Sequence, residues 1–170
     1  MSHSPEDLIS RYADKGLVVD TNLLVLLIIG SFDRSLITRF KRTQKYTVDD
    51  FDILVALLDC FPTRSPILTP QIWIETNSLV GQLAEPFRTQ CLDTTFRQLV
   101  NISSERYLAS KELAANQIFT RFGLTDAGIE QLAVENLVVS DDFPLVSYLE
   151  KLDRAVINFN HLRNWNEQSR

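Results

Sequence analysis

The chain has 170 residues, 45% of them hydrophobic, and a formal net charge of −5 from 17 Lys and Arg against 22 Asp and Glu. A chain of this length can bury its own core. Cys60 and Cys91 lack any CxxC or Cys/His spacing, which argues against a disulfide framework and a structural zinc site. The acidic balance argues against a long nonspecific footprint on nucleic acid, but not against an enzyme whose acids are offset by bound cations.

The N-terminal residues have no basic start followed by an apolar stretch, so no secretory signal is expected and the cytoplasm is the default location. The apolar run over residues 17–29 is interrupted by Asp20, Thr21 and Asn22. A carboxylate in lipid is costly, so the run reads as a buried strand (16–20), a polar turn and a buried helix (22–30), with no membrane association. Next comes a basic stretch, Arg39, Lys41, Arg42 and Lys45, which reads either as a guide for RNA phosphates or as a solvated face. Helical periodicity then predicts helices over 47–61, 70–83, 85–99, 103–121, 125–136 and 143–152. Short runs rich in β-branched residues predict strands over 66–69, 137–140 and 155–158. Trp73 and Trp165 read as packing residues, and His161 and Arg163 as surface groups within reach of phosphate.

No repeat or linker divides the chain, so residues 1–170 form one domain. Strands alternating with helices imply a parallel sheet. Uniformly apolar strands imply helices on both of its faces, an α/β, three-layer α/β/α fold with a central parallel sheet. Ligands in such folds sit beyond the carboxyl ends of the strands.

The acids fall at that edge. Asp20 ends the first strand, Asp141 and Asp142 follow the strand over 137–140, and Asp126 opens a helix. Each alone has a plain reading as a helix N-cap or first-turn residue. Glu75 is different. On a helix over 70–83 it shares a stripe with Ile72, Leu79 and Leu83, which predicts a carboxylate on an apolar face with no basic residue at helical spacing. Together these oxygens would make a pocket suited to Mg²⁺ or Mn²⁺.

Four motifs in order, Val19-Asp-Thr-Asn22, Glu75 within Thr-Pro-Gln-Ile-Trp-Ile-Glu-Thr-Asn, Leu124-Thr-Asp-Ala127 and Val139-Ser-Asp-Asp142, resemble those of the PIN-domain nucleases across nearly the whole chain. The resemblance implies a PIN-like fold. It makes Asp20, Glu75, Asp126 and Asp142 the catalytic and metal-binding acids, with Asp141 as a helper ligand and Asn22 and Ser140 orienting them. It further implies Mg²⁺- or Mn²⁺-dependent hydrolysis of RNA, leaving a 5′-phosphate and a 3′-hydroxyl. Extra helical length around 33–65 distinguishes the chain from the small toxin members. An antitoxin-like inhibitor protein and a homodimer are therefore open expectations.

Other readings compete. A haloacid-dehalogenase-type phosphatase needs a second acid at position 22, which is Asn. A response-regulator receiver needs a Lys near the last strand, and residues 155–159 contain none. The remaining alternative is a PIN-like module that binds RNA or protein without cleaving.

Overall fold

The computed structural model describes the backbone of residues 4–168 and side chains through Arg163. Five strands make one sheet: β1 (Leu17–Val19), β2 (Ile67–Leu68), β3 (Ser104–Glu105), β4 (Leu137–Ser140) and β5 (Val156–Asn158). All neighbours pair in parallel, in the order β3-β2-β1-β4-β5, with Val18 level with Ile67 on one side and Val138 on the other. Leu17, Val18, Val19, Leu137, Val138 and Val139 are fully buried. A central strand shielded on both faces must be apolar throughout, which is why these strands show no alternation. The fold is a three-layer α/β/α arrangement, as the alternating pattern predicts.

Ten helices flank or link the strands among the described residues: α1 (Pro5–Tyr12), α2 (Thr21–Phe32), α3 (Val48–Asp59), α4 (Pro70–Val80), α5 (Phe87–Cys91), α6 (Arg97–Ile102), α7 (Ser110–Ala115), α8 (Phe119–Leu132), α9 (Phe143–Lys151) and α10 (Phe159–Gln168). A π-helical turn, Leu92–Phe96, joins α5 to α6. Cys60 is exposed and Cys91 buried, and both are free. No described helix is long and apolar enough to cross a membrane.

Three crossover helices start the same way. The residue after each strand, or the next polar one, turns its side chain back onto a free backbone N–H: Asp20 onto Leu23, Thr69 onto Ile72 and Asp142 onto Leu145, at 2.9, 3.3 and 3.0 Å. Such caps satisfy donors that have no partner inside the helix.

Several boundaries differ from expectation. The helix predicted over 103–121 does not form as one unit. Its start is the edge strand β3, whose continuation donates from the Arg106 N–H to the Leu68 carbonyl at 2.8 Å, so sheet pairing overrides local helical pattern. The expected helix over 125–136 belongs to a longer α8, broken at Gly123, whose φ of +88° only glycine adopts at little cost. α1 and α10 are helices for which the sequence reading sets no bounds, and both are polar on balance. Trp73 is buried, its ring 5.3 Å from that of Phe96, as a packing residue should be. The side chain of Trp165 lies outside the described residues.

α2 is buried on every side, and its close approach to α3 depends on Gly30. A Cβ there would stand 2.2 Å from the Phe51 ring. Gly30→Ala should therefore destabilise the fold by roughly 1–3 kcal/mol despite its better helix propensity. Urea unfolding of the two proteins measures this, and an unchanged midpoint would show that Phe51 yields without strain.

Candidate functional site

The strand order reverses between β1 and β4. From β1 the chain moves outward to β2 and β3, then returns to β4 on the other side of β1 and continues to β5. Crossovers that leave in opposite directions open a crevice at the carboxyl ends of the two central strands. Asp20 follows β1 at this point, and Asp141 and Asp142 follow β4.

Asp20 is 4% exposed and fully engaged. Its Oδ1 accepts the Leu23 N–H, and its Oδ2 accepts the Ser140 hydroxyl and the Asp141 N–H. Ser140 in turn accepts the Asp142 N–H at 3.0 Å, so one hydroxyl fixes both acids. Burial, and then the negative charge of Asp141, push the Asp20 carboxyl up to about 7, against the pull of these three hydrogen bonds.

Asp141, expected as a helper ligand, has partners of its own. Its side chain is 3% exposed and its Oδ2 receives the Lys45 ammonium at 2.5 Å and the Tyr46 hydroxyl at 2.6 Å, while Oδ1 accepts from Asn22 Nδ2 at 3.3 Å. Asn22 thus orients Asp141, and Ser140 orients Asp20 and Asp142. Burial and the charge of Asp141 push the Tyr46 phenol well above its ordinary range, so it serves as a neutral donor.

The third group lacks such compensation. Asp126 sits in the first turn after the break at Gly123, and no hydrogen-bond donor or cation among the described residues meets its carboxylate. Burial, then Asp142, then Glu75 push it up to about 7. Asp20 and Asp142 do cap helices, so the plain reading of each holds alongside any other role. Asp126 makes no cap.

Glu75 corrects the helical-face argument. It is exposed, as is Ile74, and the buried stripe of α4 runs through Ile72, Trp73, Thr76 and Val80. The stripe is phased by Trp73 and Thr76, which rotates position 75 off the core. Its carboxylate still faces the crevice from the rim, where Thr21 Oγ1 donates to Oε2 at 3.3 Å.

Of the basic stretch, Arg39, Lys41, Arg42 and Lys45 are all exposed, on turns rather than on a helix face. Arg42 binds Gln82, and Lys45 alone of the four reaches the acids. Arg163 is not a surface group: its guanidinium donates to Asp50 Oδ1 at 2.9 Å and to the Lys45 carbonyl at 3.0 Å. His161 is exposed. Tyr46 and Asp50 are additions that the sequence does not signal; no pattern around them marks partners 95 and 113 residues away. A separate cleft of about 660 Å³, between the segment after β3 and the end of α8, contains none of the acids.

The donor set fits a hard divalent cation in chemistry: oxygen ligands, with Asp142 and Glu75 close enough to act on Asp126 and no cation on it among the described residues. As the side chains are oriented, no three acids among the described residues stand close enough to share one ion. Asp141 fits least, because Lys45 and Tyr46 already occupy it.

The raised carboxyls fix the sign of a pH dependence. An acid whose folded pKa exceeds its ordinary value of 3.8 favours the fold fully below that value, and this contribution is lost as pH rises through about 7. In chelator, the melting temperature should therefore fall between about pH 4 and pH 7, and Asp126→Asn should flatten the fall. A mutant that melts lower than the parent throughout, with the same slope, would make Asp126 a first-turn stabiliser only. No family model, curated protein or solved structure matches the chain.

Proposed function

We propose that this chain is a divalent-metal-dependent ribonuclease of the PIN type, acting in the cytoplasm on single-stranded RNA. One observation carries the reading: acids distant in sequence gather at the switch point of a parallel sheet, and one of them, Asp126, is part-buried without any partner among the described residues. An uncompensated carboxylate at a ligand crevice costs stability, and functional sites are where such cost is found.

In this reading Asp126, Asp142, Glu75 and Asp20 would hold Mg²⁺ or Mn²⁺. When bound, such a cation supplies Lewis acidity and positive charge facing the phosphate. The chain's own residues do the positioning. Ser140 holds Asp20 and the backbone of Asp142 in fixed relation, Asn22 and Tyr46 hold Asp141, and Thr21 steers Glu75 toward the crevice. Fixed carboxylates need no reorganisation when substrate arrives.

A second reading, a PIN-like module that binds RNA or an antitoxin-like protein without cleavage, draws on the neutralised Asp141 and on the present spread of the acids. Activity separates the two. Purified protein with Mn²⁺ should cleave single-stranded RNA, a chelator should stop it, and Asp126→Asn should lower the rate by on the order of 10²–10⁴-fold. Binding of RNA without any Mn²⁺-dependent cleavage favours the module, and equal cleavage by the mutant marks a contaminating nuclease.

A further inference from the structure

The stretch between α2 and α3 brings a cation into the acidic crevice. Its backbone is pinned: the Thr43 hydroxyl donates to the Ile37 carbonyl at 2.8 Å, Tyr46 is 1% exposed, and Arg163 lies over the Tyr46 ring while binding the Lys45 carbonyl. From this anchored turn the Lys45 side chain reaches Asp141 and remains 52% exposed.

The lysine is not the sole partner of Asp141. The buried carboxylate already accepts from Tyr46 and Asn22, and the ammonium that completes the set is itself half-exposed. The ammonium has three donors, and Asp141 is the one acceptor that it meets among the described residues. The ammonium also lies 4.9 Å from the centre of the Tyr46 ring, and the half-exposed side chain leaves room for a further acceptor. A phosphate approaching that edge meets the negative charge of the acids, and among the described residues Lys45 is the cation that reaches them directly while Arg163 is held on Asp50 behind it.

We propose that Lys45 is a phosphate-binding residue of this site, held on Asp141 in the free protein and shared with a phosphodiester oxygen of single-stranded RNA in the complex. The inference rests on the ribonuclease reading and gives the extra segment a role, since it supplies the contact between an acidic protein and a polyanion. Arg163 and Tyr46 act as positioning residues for it, through the backbone on either side of the ammonium.

Binding is measured in chelator with a labelled single-stranded RNA oligonucleotide, in an Asp126→Asn background that prevents cleavage. Adding Lys45→Met should weaken binding roughly tenfold at low salt, the loss expected for one charged hydrogen bond. The slope of log affinity against log salt should fall by about 0.7, the value for one phosphate contact on a single strand. Lys45→Arg should restore both. In the otherwise unaltered chain, Lys45→Met should bind Mn²⁺ more tightly by calorimetry, because it exposes the Asp141 carboxylate. If Lys45→Met does not fold, Lys45→Gln takes its place. Unchanged RNA affinity and salt slope, in a background protein that does bind RNA, overturn the role of Lys45. A background protein that binds no RNA, together with an unaltered chain that binds no Mn²⁺, overturns the ribonuclease reading and this inference with it.

Discussion

The carboxylate of Asp20 ties the two central strands together at the point where ligands would enter. It ends β1, caps α2 through the Leu23 N–H, and accepts the Ser140 hydroxyl and the Asp141 N–H from the end of β4. A buried carboxylate is costly without hydrogen bonds, and each of these donors would be orphaned without it. The side chain is therefore structural before any other role is considered. Its position fixes the direction of α2, the register between the ends of β1 and β4, and through Ser140 the backbone of Asp142.

Around that clamp the negative charge divides into two kinds. Asp20 and Asp141 are enclosed by donors: backbone amides, a serine, an asparagine, a tyrosine and the ammonium of Lys45. Asp142 and Glu75 accept one side-chain hydrogen bond each and Asp126 none among the described residues, and burial, then the charges of Asp142 and Glu75, raise the Asp126 carboxyl. Low dielectric amplifies both effects, strengthening satisfied pairs and penalising unsatisfied ones. The crevice is thus closely hydrogen-bonded on the side of the segment between α2 and α3 and electrostatically strained on the side of α4 and α8. A cation has most to gain on the strained side.

The segment between α2 and α3 is integrated into the same network. Arg163, just past β5, crosses to Asp50 and to the backbone of Lys45, while Asp50 also accepts the Thr47 N–H in the box that opens α3. The segment between α2 and α3, the last described helix and the end of β4 consequently share one set of hydrogen bonds. Loops that carry function are commonly held this way by the scaffold beneath them.

Much of this is legible in the residues themselves. Strands that are apolar throughout, such as Leu17–Val19, or up to a last serine, such as Leu137–Ser140, require burial on both faces, which dictates a covered parallel sheet. An acid directly after each of them then falls at the ligand edge by topology. The helical wheel places Glu75 on a stripe that Trp73 and Thr76 displace, because burial of a helix depends on the surface it meets and not on periodicity alone. Edge strand β3 is hidden for a related reason, since two exposed residues carry no pattern and gain strand geometry only from β2 beside them. The pairing of Lys45 and Tyr46 with Asp141 is beyond reach altogether. Local sequence determines which residues can form strands, caps and charges, but contacts across about ninety-five residues depend on how the crossovers bring distant segments together, and only the tertiary structure decides that.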